Sequence, residues 1–175
     1  MRRQTRMDAR RLALSAILVA LMLVLLYLAS FTPVLSLTLI AIAGLLPAVI
    51  VVECGIGAAV TAYCAASVLA LVLVPDKSSA ILFALMFGHY PVVKNLIERI
   101  RVKWLGWCVK LAVANALFLV LYFVFKNIFL QMVPEIAQLI WVALIAFNII
   151  FVLYDLCFSK LLLFYEYRIA RHFRR

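Results

Sequence analysis

Six apolar stretches separate three clusters of Lys and Arg, and that alternation constrains the chain more than any motif in it. The clusters are Arg2, Arg3, Arg6, Arg10 and Arg11 near the N-terminus, Lys94, Arg99, Arg101, Lys103 and Lys110 in the middle, and Lys160, Arg168, Arg171, Arg174 and Arg175 at the end. Of seventeen Lys and Arg residues, only Lys77 and Lys126 fall elsewhere. Basic residues flanking apolar spans stay on the cytoplasmic side of a bilayer, so this spacing puts all three clusters on one side. The sequence predicts an all-α integral membrane protein: a compact bundle of six transmembrane helices with both termini cytoplasmic.

Composition agrees. Of 175 residues, 69% are hydrophobic and the mean hydropathy is +1.19, which excludes a soluble globular domain. A hydrocarbon core about 30 Å thick takes ~20 helical residues per crossing, leaving room for five or six helices and short loops in a single transmembrane domain. The formal charge of +10 would suggest nucleic acid in a soluble protein. Beside membrane spans it is read instead as contact with anionic inner-leaflet lipids, with no nucleic-acid partner. The first apolar run, Leu12 to Ser30, is long for a secretory signal core and has no small-x-small cleavage site, so it is expected to be retained.

The expected spans are residues 12–30, 34–52, 55–74, 79–93, 110–130 and 136–158, followed by a basic cytoplasmic tail over 159–175. Thr32-Pro33 ends the first, and Glu53-Cys54-Gly55 is a tight link between the second and third. The alternative for that pair is one long broken helix, which would move the C-terminal arginines outside. Pro75 to Ser78 and Gln131 to Glu135 are the outer turns, with Ser78 or Ser79 expected to cap the fourth helix. Asn95 to Trp107 mixes basic and apolar residues and reads as an interfacial amphipathic segment.

Catalytic chemistry is poorly provided for. The sequence holds no GxSxG, HExxH, Walker A or DxxD-type motif, so the protein is not expected to be an enzyme, and an ATP-driven step would have to come from another chain. Cys54, Cys64, Cys108 and Cys157 form no CxxC pair and have no His at ligand spacing. They are expected to pack as small apolar residues, with no metal site and no cofactor.

Small residues recur at helical spacing in two places. In the first span Ala13, Ala16 and Ala20 share one face, with an Ala16-xxx-Ala20 step near the cytoplasmic end. The third span carries Gly55, Gly57, Ala58, Ala59, Ala62, Ala65 and Ala66. Small residues four apart let helix backbones approach closely, which serves a partner protein or plain intramolecular packing.

With that alanine step, Ala16-Ile17-Leu18-Val19-Ala20, and the run from Phe87-Gly88-His89-Tyr90-Pro91 to Glu98, the chain resembles the substrate-binding S components of energy-coupling-factor (ECF) transporters of bacterial plasma membranes. The resemblance implies that the Ala13, Ala16 and Ala20 face docks on a transmembrane coupling subunit. It also implies that ATPase subunits of the same complex drive release of a small solute such as a vitamin. The rod-shape-determining MreD family has a similar layout and no substrate. A non-catalytic scaffold for cell-envelope assembly is therefore the alternative.

Polar groups within spans are expensive in lipid and tend to face a cavity or a partner. Asn148 and Asp155 share a face of the last span at i, i+7, and Ser159 extends it. Two readings stand: a polar line toward a ligand, or an interhelical hydrogen bond and an Asp–Lys or Asp–Arg pair. Were the chain to capture a solute, Tyr122, Asn127, Gln138, Trp141 and Asn148 are the residues able to line a site in the outer half. His89, alone among apolar residues, reads as a hydrogen-bonded packing residue rather than a ligand.

Overall fold

A computed structural model of the chain describes residues 2–97, 103–132, 140–165 and 167, and every regular element among them is helical. In order these are α1 (Arg2–Ala29), α2 (Ser36–Cys54), α3 (Ile56–Leu73), α4 (Lys77–Leu82), a π-helical turn (Phe83–Phe87), α5 (Tyr90–Ile97), α6 (Lys103–Met132) and α7 (Ile140–Tyr165). Among the described residues, five stretches are long and apolar enough to cross a membrane: Ala9–Ala29, Ser36–Cys54, Ile56–Leu73, Lys77–Ile97 and Leu144–Tyr165. In α6 the apolar stretch Trp104–Val120 is shorter than these. The chain forms two units, the first ending at Asn95 and the second running from Leu96 to Tyr167.

In the first unit, α1, α2 and α3 pack on one another, and α4 with the π turn after it completes the bundle against α2 and α3. Two contacts fix how the chain alternates. The Cys54 thiol lies 3.5 Å from the Arg11 carbonyl, so the α2–α3 turn sits beside the basic start of α1. The Asp76 N–H lies 3.4 Å from Ser30 Oγ, so the α3–α4 turn sits beside the end of α1.

Gly55 makes the first of those turns possible. Its φ of 93° with ψ of 169° is accessible almost only to glycine. Its N–H closes the end of α2 on the Ile50 and Val51 carbonyls, 3.1 Å from each. Residues 34–74 thus form two helices packed side by side, not one long broken helix.

The α3–α4 turn corrects an expectation. Neither Ser78 nor Ser79 caps the fourth helix; Asp76 does, accepting from the N–H groups of Ser78 and Ser79 at 3.1 Å each and from the Ser79 hydroxyl. A carboxylate outcompetes a hydroxyl at this position because two N–H groups can bond its two oxygens. Lys77 serves the opposite helix end, donating to the Leu71 and Val74 carbonyls of α3 at 2.8 and 3.0 Å.

The core of this unit pairs large side chains with small ones. Met22 and Leu26 of α1, Ile40 and Ile50 of α2 and Phe83 of the π turn are fully buried, or nearly so, against Ala59, Ala62, Ala66 and Ala70 of α3. Those alanines recur every three or four residues, so one whole face of α3 admits its neighbours closely. Gly44 does the same for α2. A β-carbon there would stand 2.6 Å from Phe87 Cβ, so the backbones of α2 and the π turn meet where only glycine fits.

The second unit is a helical hairpin. Lys110 meets Asp155, Asn115 meets Asn148, and Phe118 meets Phe147. Residue numbers rise along α6 as they fall along α7, so the two helices run antiparallel. Two spans differ from expectation. Helix α6 already includes Lys103 to Trp107, so that part of the expected interfacial segment runs straight into the span; residues 98–102 lie outside the description. Nothing but Gly106 interrupts the helical preference there. Helix α7 continues past Phe158 to Tyr165, because Leu161, Leu162, Leu163 and Phe164 keep it apolar after Lys160.

Candidate functional site

The interior face of α7 is a heptad stripe: Asn148, Phe151, Asp155 and Phe158 recur at i, i+3, i+7 and i+10, and the last three are buried. The opposite face, with Ile145, Ile149, Ile150, Leu153 and Leu156, is exposed. Polarity is therefore inverted relative to a water-soluble helix, with charge inside and aliphatic side chains outside.

Two polar layers tie α7 to α6. In one, Lys110 Nζ lies 3.1 Å from Asp155 Oδ2 and 3.4 Å from Oδ1, with both residues buried (Asp155 is 2% exposed). Lys110 also sits over the Trp107 ring, 5.4 Å from its centroid. Two isolated buried charges would each carry a desolvation penalty of several kcal/mol, and pairing offsets it. Asp155 is fifteen residues into α7 and ten from its end, about 15 Å from the nearer terminus at 1.5 Å per residue. It therefore lies well inside the helix rather than near its last turn.

Seven residues earlier on α7, about 10 Å along the axis, two amides bond reciprocally. Asn148 Nδ2 donates to Asn115 Oδ1 at 2.9 Å and to the Leu144 carbonyl at 2.8 Å, and Asn115 Nδ2 returns a bond to Asn148 Oδ1 at 3.2 Å. Both donors of Asn148 and its carbonyl are thus engaged inside the hairpin. Phe118, Phe147 and Phe151 stack beside this layer, with centroid separations of 4.8 and 6.3 Å.

Of the residues expected to line a solute site, Asn148 takes part in this interior layer. Tyr122 sits further along α6, half-buried and edge-on to Phe123 at 6.0 Å. Gln138 lies outside the described residues, as do the side chains of Asn127 and Trp141. Of the two readings of Asp155, the geometry realises the ion pair, with Lys110 rather than Lys160 as partner. Asn115 had not been singled out in the sequence. Its signal is an amide inside the apolar run from Leu111 to Phe125, opposite Asn148 once the hairpin is folded. Among the described residues no group of three His, Cys, Asp or Glu could hold a metal ion.

The alanine faces separate. On α3, Ala59, Ala62, Ala66 and Ala70 are covered by the chain itself while Gly55, Gly57 and Ala65 are exposed; Ala13, Ala16 and Ala20 of α1 are all exposed, on the side opposite Met22 and Leu26. Leu12, Ile17 and Val24 flank them and are exposed as well. The chain matches no protein-family model, no curated protein and no solved structure.

Proposed function

We propose that this chain is a multi-pass subunit of a bacterial plasma membrane, with both termini cytoplasmic, which works by docking on another membrane protein. The observation that carries the reading is the uncovered Ala13, Ala16 and Ala20 face of α1, beside an equivalent α3 face that the fold has already filled. Small side chains lower the distance of closest approach between helices, and in lipid that contact drives association. The inverted polarity of α7 supports the membrane setting, since exposed isoleucines and leucines are favourable against lipid tails and costly against water.

The specific form we favour is an S component-like subunit of an ECF-type uptake transporter. In it the alanine face meets the transmembrane coupling subunit, and energy comes from ATPase subunits of the same complex. The cargo would be a small solute such as a vitamin. Anionic lipids would hold the basic cytoplasmic ends. A second reading, a non-catalytic MreD-like scaffold for cell-envelope assembly, is favoured by one observation. Asn148, one of the candidate solute residues, has its amide engaged with Asn115.

Affinity purification of the full chain and its Ala16→Trp and Ala20→Trp variants separates these readings. The transporter form expects an ATPase-containing complex with the wild type and its loss in both variants, with helix content and thermal stability unchanged. Recovery of cell-wall synthesis proteins without an ATPase would replace it by the scaffold. Unfolding of both variants would make the alanine face an intramolecular one and end the docking reading.

A further inference from the structure

The stretch from Lys77 to Ile97 is long enough for one crossing, yet it is two rods joined at a defect. Within the π turn the Gly88 N–H reaches the Phe83 carbonyl, 2.7 Å away and five residues back. In an α-helix that N–H would have served Ala84. Four residues after Phe87 stands Pro91, which has no N–H to return to the Phe87 carbonyl. Gly88 and His89 lie between the π turn and α5, in neither element, although Gly88 keeps helical dihedrals (φ −71°, ψ −37°). Regular bonding is thus lost on both sides of this dipeptide, near the middle of the segment.

The neighbouring helix compensates at one point. The Tyr63 hydroxyl of α3 donates to the Ala84 carbonyl at 2.7 Å. Its ring lies directly on Gly88, where a β-carbon would come within 2.9 Å of two ring atoms. On the other side, Gly44 of α2 lets the Phe87 backbone approach, so the π turn is clamped between two helices. Beyond the defect, α5 buries Tyr90, Val92 and Lys94. A π turn holds one residue more than the α-helical turn it replaces, so relaxing it would rotate everything after it by about 100°.

We propose that Gly88-His89 is a hinge in the fourth span, that α4 and α5 move as separate rods about it, and that the Tyr63–Ala84 hydrogen bond is its latch. The closed state keeps the π turn and the buried face of α5; the open state releases Ala84 and turns that face. The proposal does not depend on which partner α1 meets.

Spin labels at Gly57 and Asn95 report on α5, and labels at Gly57 and Ser78 on α4, in a chain whose Cys54, Cys64, Cys108 and Cys157 are replaced by alanine. Gly57 and Ser78 are exposed, and a β-carbon at Gly57 meets nothing within 4 Å. Tyr63→Phe keeps the ring on Gly88 and removes only the latch. We expect a roughly five- to tenfold rise in the population of a second Gly57–Asn95 distance, the shift one neutral hydrogen bond can supply, with the Gly57–Ser78 distance unchanged. Both pairs changing together, or neither changing, overturns the hinge. Hydrogen exchange on the unmodified chain gives a test that needs no variant. Amides from Phe83 to Val93 should exchange at least tenfold faster than those from Ile40 to Ile50, and equal protection overturns the proposal as well.

Discussion

Lys110 and Asp155, forty-five residues apart, form a buried ion pair of 3.1 Å that ties the first third of α6 to the second half of α7. Removing either partner takes this pairing away from a charge that stays buried. Asp155→Asn and Lys110→Met are each expected to lower stability by about 3–5 kcal/mol, measured by thermal unfolding in detergent. The double variant Lys110→Met/Asp155→Leu removes both charges and should recover most of the loss. Additive losses would show that the two residues act apart.

The reciprocal amides give a smaller effect and a sharper contrast. Asn148→Leu leaves Asn115 with an unmet donor and acceptor, and a loss of about 1–2 kcal/mol is expected, in the range measured for interhelical hydrogen bonds in membranes. Asn115→Leu/Asn148→Leu should be less destabilised than the sum of the single variants. A solute site built on Asn148 predicts something further: weaker binding in a small-molecule panel, with stability held by the double variant. Unchanged binding would take Asn148 out of the solute reading.

Much of this fold is legible in the sequence because long apolar helices announce themselves. Apolar runs ended by Thr32-Pro33, by Gly55 and by Pro75-Asp76 place the ends of α1, α2 and α3 within a few residues. The Asp155–Lys110 layer was half legible. Asp155 stood out as an interior charge, but Lys110 looked like one more member of a flanking basic cluster. Only antiparallel pairing of α6 with α7 brings it opposite. The π turn was not legible at all. Gly88 and Pro91 mark a break, but the extra residue is held by Tyr63 and Gly44, twenty-five and forty-four positions earlier than Gly88, and no local pattern encodes such contacts.

Two glycines separate close approach from mere helix composition. At Gly44 a β-carbon meets Phe87 at 2.6 Å, and part of the clash is with backbone, which cannot swing aside. Gly44→Ala is expected to cost about 1–3 kcal/mol, the range of overpacked cores, and Gly44→Leu to prevent folding. At Gly57 the space is open and φ is ordinary, so Gly57→Ala should be neutral or stabilising. Equal losses at both positions would contradict the packing of the π turn on α2.

The cap at Asp76 makes a pH prediction. Burial pushes its carboxyl up, but the Ser79 hydroxyl and the Ser78 and Ser79 N–H groups outweigh burial and hold it below the ordinary value. A carboxyl lowered on folding contributes stability above its unfolded pKa, about 3.9, and loses it as pH falls through the lower folded value. Asp76→Ala should therefore cost about 1 kcal/mol near neutral pH, and the gap from wild type should close below about pH 3. The residue is mostly solvated, which keeps the effect at the size of a cap. A gap that persists in acid would place its origin in packing.

The proposed orientation can be tested at the two ends of the first unit. The Arg11–Cys54 contact puts the α2–α3 turn at the level of the N-terminal arginines, although that turn has no Lys or Arg of its own. The Ser30–Asp76 contact puts the α3–α4 turn at the far end of α1, a helix whose apolar stretch Ala9–Ala29 is about 30 Å long. Basic ends stay cytoplasmic, so Ser78 should face outward and Gly57 inward. In cells, a membrane-impermeant maleimide should modify Ser78→Cys without permeabilisation and Gly57→Cys only after it, each compared with the chain lacking native cysteines. Modification of Gly57→Cys in intact cells, with Ser78→Cys protected, would reverse the orientation and place the arginine clusters outside.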